Sequence, residues 1–169
     1  MSGDQGLSAL EALGVAIKSE IEAVELYARM ARSVRNSFLA AKLGFLRQEE
    51  EKHRALLEEF YARRFPDVEL KLPTAPVMPP LDAASPPAIT LPDLFQLAMQ
   101  AERISADFYS READRTADPA GRTMLRYLSK VEHSHFHLLE TEYDLVSRFP
   151  SYYNADDFHL GDEFMHIGP

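Results

Sequence analysis

The sequence of 169 residues contains no cysteine. That excludes disulfides, thiolate catalysis, Cys-ligated zinc, iron–sulfur clusters and any cysteine-held iron centre of the chain's own. Positive charge is also scarce: 18 Lys and Arg stand against 27 Asp and Glu, a formal net charge of −9. A surface of that sign works against sequence-independent binding to nucleic acid and against docking on anionic lipid. No apolar run approaches the roughly 18 residues of a membrane span. The start, MSGDQGLSALEALG, has no basic segment followed by an apolar one, so the expected compartment is the cytoplasm. Proline is scarce outside one segment: seven of the eleven prolines fall within residues 66–90.

What the chain does have is helical periodicity on both sides of that segment. Apolar residues recur at three- and four-residue spacing from about 8 to 34, 37 to 65, 91 to 116 and 119 to 149, which predicts four amphipathic helices. Ser8 with Glu11 reads as a capping box. Pro66 stops the second helix and Pro92 suits the first turn of the third. The short link at residues 35–37 favours an antiparallel helical hairpin. Proline density over 66–90 favours extended, polyproline-like chain, long enough to run the length of a helix. A pair of helices has too little core to stand alone. The expected architecture is therefore all-α: one antiparallel four-helix bundle over residues 1–149, with a long crossover between helices two and three. Residues 150–169 form an aromatic, acidic tail.

The inward faces carry an unusual set of residues. Leu13, Ala16, Ile17, Ala23, Tyr27 and Met30 share a face with Glu20; Leu39, Leu43, Leu46 and Leu57 with Glu50 and His53; Phe95, Ala98 and Tyr109 with Glu102 and Ser105; Leu125, Leu128 and Leu139 with Glu132 and His135. A constant offset of 82 residues relates Glu20 to Glu102, Tyr27 to Tyr109, Glu50 to Glu132 and His53 to His135. The apolar frame keeps it too, as in Ala16 with Ala98 and Leu46 with Leu128. The two hairpins are thus pseudo-equivalent, and packing them about a pseudo-twofold axis brings four glutamates to one level of the core. Each buried charge costs several kcal/mol unless it is paired or bound to metal. Two divalent cations balance four carboxylates, and neutral imidazoles add nitrogen ligands without charge. The i, i+3 spacing of each Glu-x-x-His puts both side chains on one face. One Glu from each of two helices plus a Glu-x-x-His from each of the others is a di-iron or di-manganese carboxylate arrangement. The expected metal ligands are Glu20, Glu50, His53, Glu102, Glu132 and His135. Tyr27 and Tyr109 are core aromatics placed to hydrogen-bond ligand carboxylates or to take part in one-electron chemistry. His133 and His137 point away from this face and are expected in solvent, as are Glu49, Glu51, Glu58 and Glu59.

These residues resemble the ferritin-like superfamily and, within it, the rubrerythrin group: Glu20 with Ala23 and Tyr27, Glu50-x-x-His53, Glu102 with Tyr109, and Glu132-x-x-His135. The resemblance spans about residues 8–149. It implies two iron ions reacting with hydrogen peroxide or dioxygen, with Glu20 and Glu102 as terminal ligands, Glu50 and Glu132 as bridges, and His53 and His135 on one metal each. Two departures stand out. Rubrerythrins carry a further glutamate one turn after the third-helix glutamate, where this chain has Ser105. They also carry a Cys-rich rubredoxin domain. A chain without cysteine needs an external electron donor, such as a rubredoxin-like protein. The expected activity is an oxidoreductase that reduces peroxide or dioxygen. Its rivals are a ferroxidase that hands iron to storage and a non-catalytic bundle holding a metal such as zinc. A homodimer is the expected assembly.

Overall fold

Each helix begins where a side chain satisfies amide groups that the first turn leaves free. Ser8 Oγ accepts from the Glu11 N–H at 3.3 Å while Glu11 accepts from the Ser8 N–H at 2.9 Å, a reciprocal capping box. It opens α1 (Ala9–Ser33). Asn36 Oδ1 accepts from the Leu39 N–H at 3.0 Å and opens α2 (Ser37–Arg64). A second capping box, Thr90 with Asp93, opens α3 (Leu91–Arg115). Asp118 accepts from the Ala120 N–H and opens α4 (Pro119–Arg148), with Pro119 in the first turn where its missing N–H costs nothing. This computed structural model describes residues 7–78 and 90–153. Among them the secondary structure is four helices and no strand.

The helices pack as two hairpins, α1 on α2 and α3 on α4, joined along α1 and α3. Those two run antiparallel: Tyr27 of α1 reaches Glu102 of α3, and Tyr109 of α3 reaches Glu20 of α1. Two apolar clusters fill the interior, one on each side of the glutamate level. One gathers Tyr27, Leu43, Leu46, Phe95, Ala98 and Leu139. The other gathers Leu13, Ala16, Leu57, Tyr109, Leu125 and Leu128. The 82-residue offset converts one set into the other, so the repeat in the sequence is a repeat in the packing. Full burial of each large apolar side chain contributes about 1.5–3 kcal/mol. That is the stabilisation available to offset a buried polar layer.

Periodicity identifies most inward residues, and the crossover explains the main differences. Gly14, Ser19 and Leu26 are buried on α1 beside the expected face. The chain after α2 passes along α1 in the same direction. The Tyr61 hydroxyl donates to the Glu69 carbonyl at 3.1 Å. A Cβ on Gly14 would lie 2.8 Å from the Lys71 carbonyl oxygen, closer than atoms allow, so only glycine lets the strap approach here. Farther along, the Glu22 carboxylate accepts from the N–H groups of Val77 and Met78 at 2.9 and 2.8 Å. The extended chain has no partner strand, so a side chain supplies its acceptors. Met78 is buried with Ala23, Leu26 and Ala101. α1 therefore has two covered sides where periodicity alone predicts one.

Two further glutamates are buried that periodicity did not single out. Glu142 on α4 accepts from Lys42 of α2 and from the Tyr153 hydroxyl just past α4. Glu112 on α3 sits 3.4 Å from Arg111 and 3.3 Å from Arg115. Both are paired, as buried charges must be. The rest of the crossover and the tail beyond Tyr153 lie outside the described residues.

Candidate metal centre

Glu20, Glu50, His53, Glu102, Glu132 and His135 meet at the level between the two apolar clusters, and each is at least nine-tenths buried. α2 and α4 each deliver a Glu and a His one turn apart; α1 and α3 each deliver one Glu. Two groups form. Glu20, Glu50, His53 and Glu132 bring one donor atom each within 4.8 Å of one another, and so do Glu50, Glu102, Glu132 and His135. Glu50 and Glu132 belong to both groups.

Each imidazole aims at three carboxylates. His53 Nδ1 lies 3.0 Å from Glu50, 3.1 Å from Glu132 and 3.8 Å from Glu20. His135 Nδ1 lies 3.0 Å from Glu50, 3.4 Å from Glu132 and 3.7 Å from Glu102. The two rings stack at 5.6 Å with 17° between their planes, one on each side of the pseudo-twofold axis. The tyrosines cross between hairpins. The Tyr27 hydroxyl donates to Glu102 and the Tyr109 hydroxyl donates to Glu20. Each outer glutamate is thus held by a phenol from the other half of the bundle.

The electrostatics show a site short of positive charge. Burial pushes the Glu20 and Glu102 carboxyls well above the usual carboxylate range, and the Glu50 and Glu132 charges add to the shift. Burial alone would pull the histidines down, but the carboxylates around them win, raising His53 far up and His135 to about 12. Burial would likewise raise Glu132, yet the His135 and His53 imidazoles beside it hold it down at about 2. Burial pushes the Tyr27 and Tyr109 phenols up, and the neighbouring carboxylates push them further, so both remain protonated donors. Protons therefore gather on the residues where divalent cations would otherwise supply the charge.

The residues fit such cations on a second ground. Glu50 Oε1, Glu132 Oε1 and His135 Nδ1 are buried without a hydrogen-bond partner. His135 Nδ1 and Glu50 Oε1 are only 3.0 Å apart, but their approach lacks hydrogen-bond alignment. Lone pairs that converge on a common point without bonding to each other are what a metal ion needs. Carboxylate oxygen with imidazole nitrogen suits iron, manganese or zinc.

The remaining residues singled out in the sequence fall as follows. His133 and His137 are exposed, and His137 faces Glu140 at 3.2 Å. Glu51 and Glu59 are exposed; Glu49 and Glu58 are half-covered and pair with Lys52 and Arg54. Ser105 is buried, with its hydroxyl 4.0 Å from the Met78 sulfur. Sequence reasoning missed Ser19, whose hydroxyl lies 3.5 Å from the Tyr109 hydroxyl and donates to the Ala16 carbonyl at 2.7 Å. A serine beside the inward face carries no signal until the strap that buries it is known.

Comparison with known proteins places the fold. A solved hypothetical protein from Pyrococcus furiosus shares 33% identity with a TM-score of 0.74, covering 85% of this chain and 92% of its own. A dodecameric thioferritin, the bacterioferritin-related protein from Bacteroides fragilis, shares the fold at 20% identity and TM-score 0.65, over 85% of this chain and 89% of that one. The copper(II)-bound form of CopM shares the fold at 9% identity and TM-score 0.63, over 78% and 93%. No curated protein matches. The rubrerythrin family model matches residues 11–143, which contain all six clustered residues and both tyrosines. With a ferritin-like four-helix bundle and a family match over most of its length, the chain belongs to the rubrerythrin family.

Proposed function

We propose that the chain is a di-iron carboxylate oxidoreductase that reduces hydrogen peroxide or dioxygen with electrons from an external donor. The observation that carries this reading is the pair of four-residue groups sharing Glu50 and Glu132. Glu50 and Glu132 would be common to both ions, with Glu20 and His53 completing one ligand set and Glu102 and His135 the other. When bound, iron would supply the two electrons with which peroxide and two protons give two waters. The chain's own residues hold the ions at fixed spacing, exclude bulk water with the two apolar clusters, and orient the outer carboxylates through Tyr27 and Tyr109. The electrons would come from an external donor such as a rubredoxin-like protein.

The test begins with metal analysis of protein from iron-supplemented cells, together with the near-ultraviolet absorption of the oxidised form. Two irons per chain and peroxide-driven oxidation of the ferrous protein are expected, both lost in Glu50→Ala and Glu132→Ala. Full activity in both variants would refute the reading.

A second reading, iron handling by a ferroxidase, is favoured by Ser105. Serine at that position leaves a ligand set with the same residue types on both sides, and one fold neighbour is a dodecameric thioferritin. Particle size separates the two readings, because a dimer, the assembly proposed here, cannot store iron in a self-assembled shell.

A further inference from the structure

A cavity of about 270 Å³ lies on the seam between α1 and α3, where Ser19 and Ser105 in its lining stand close in sequence to Glu20 and Glu102. At roughly 30 Å³ per molecule it has room for several waters. Its inner end is formed by two buried hydroxyls, Ser19 and Ser105, and one wall by Val77 of the strap. It opens to solvent between Ile104, Asp107 and Arg111, all exposed.

Each inner hydroxyl stands one step from a metal-centre carboxylate. Ser19 precedes Glu20 and lies 3.5 Å from the Tyr109 hydroxyl that holds Glu20. Ser105 follows Glu102 by one turn on the same inward face of α3. The repeat shows why the hollow is on this side. The counterpart of Ser19 is Ala101 and that of Ser105 is Ala23. Both alanines pack in one apolar cluster with Met78, which fills their part of the seam. A cavity of about 440 Å³ lies at the bundle end among Leu13, Phe60 and Met124, and neither Ser19 nor Ser105 lines it.

We propose that the α1/α3 seam cavity is the access route by which a small uncharged oxidant reaches the metal centre, with Ser19 and Ser105 as its inner end and Met78 fixing its boundary. This rests on the oxidoreductase reading above and adds where the substrate enters and what kind of substrate passes. The cavity's volume has room for molecules of a few heavy atoms. The mouth carries one acid and one base, so it neither attracts nor repels charge over a distance. The inner end offers hydroxyls that suit peroxide or dioxygen, and the carboxylates behind it disfavour anions.

Because the chain has no cysteine, a single introduced thiol reports access cleanly. Ser105→Cys places it in the cavity. Ser129→Cys places it at another buried position, slightly more exposed than 105, where Ser129 donates to the Ala106 carbonyl instead of lining the cavity. Methyl methanethiosulfonate, small and neutral, is expected to modify Cys at 105 about tenfold faster than Cys at 129, because access controls the rate for thiols of similar acidity. A bulky maleimide should modify neither. Modification at 105 is then expected to slow, about tenfold, the spectral change that nitric oxide causes in the iron-loaded ferrous protein, with iron content unchanged. Ile104→Trp, at the exposed mouth, should slow it in the same direction without touching the interior. Equal labelling at 105 and 129, or nitric oxide binding unaffected by both the label and Ile104→Trp, would overturn the route. Nitric oxide binding without any peroxide reaction would instead overturn the oxidoreductase reading, so the two failures are distinguishable.

Discussion

The two hairpins match at the metal layer and differ around it. Glu20, Tyr27, Glu50 and His53 reappear as Glu102, Tyr109, Glu132 and His135, in equivalent burial and with crossed tyrosine bonds. Among the described residues the strap runs along α1 of the first hairpin. Gly14 admits it and Glu22 holds it; their counterparts are Gln96 and Ile104, both exposed. The second hairpin buries Glu142 where the first has Phe60. Residues of the buried Glu/His layer keep the repeat, because both halves meet at that one level. Residues that cover the bundle are free of that constraint, since the crossover exists only once.

The largest test of that equivalence lies in the glutamates themselves. Glu50→Ala and Glu132→Ala each remove a residue common to both four-residue groups, so each is expected to lose both ions. Glu20→Ala removes a member of one group and is expected to keep the ion on the His135 side; Glu102→Ala should keep the one on the His53 side. Metal content after dialysis checks this. Identical loss in all four variants would show that the groups do not act as two sites sharing a bridge.

Next in size is the response to pH. Contacts with carboxylates raise His53, and raise His135 to about 12, from the ordinary 6.5. A group raised in the folded state contributes its full stabilisation below the unfolded value and loses it as pH climbs through the folded one. The metal-free protein should therefore weaken above pH 6.5, by about 1.4 kcal/mol per pH unit for each proton held. The raised Glu20 and Glu102 have the same sign, with the decline starting above their ordinary 4.5. Glu132, depressed to about 2, runs the other way and weakens the fold as pH falls from 4.5. Bound metal replaces those protons, so the loaded protein should lose the alkaline decline and destabilise on acidification instead. Calorimetric Tm against pH, with and without iron, measures both. Superimposable profiles would place the ions elsewhere.

The strap gives a smaller, one-sided effect. Gly14→Ala sets a methyl group against the Lys71 carbonyl and should cost about 1–3 kcal/mol, as overpacking does. Gln96→Ala, at the counterpart position, removes one exposed hydrogen bond to Tyr143 and should cost less than about 0.5 kcal/mol. Urea midpoints compare them. Equal costs would mean the strap does not press on α1 in solution.

The legible part of the molecule was the part governed by helical phase and by repetition. Glu20 was readable because it is the one polar residue on an otherwise apolar face, and Glu132 with His135 because a matching pair recurs in the other half. Phase also set His133 and His137 outside. What the strap does was not readable. Met78 looks like any methionine in a proline-rich stretch, and Glu22 like any charged residue on an exposed face, until the fold sets one against the other. Ser105 was visible as a departure from the family pattern, but the hollow beside it depends on where Met78 packs. Glu142 escaped because its partners, Lys42 and Tyr153, come from 100 residues before it and 11 after.

That last site supplies the finest comparison between the halves. Glu142 and Lys42 pair across α4 and α2, and their counterparts are Phe60 and Met124, an apolar pair. Lys42→Met alone leaves the Glu142 carboxylate with the Tyr153 hydroxyl as a donor. Lys42 is nearly half exposed, so water takes up part of the loss, and the expected cost is about 1 kcal/mol. Converting both residues, Lys42→Met with Glu142→Phe, copies the apolar solution of the other half and removes the buried charge with its partner. Apolar replacement of an ion pair is often neutral or stabilising. The double variant should therefore recover the stability that the single one loses, read as a return of the urea midpoint. A double variant no more stable than Lys42→Met would show that the halves have diverged in shape as well as in sequence at this end of the bundle.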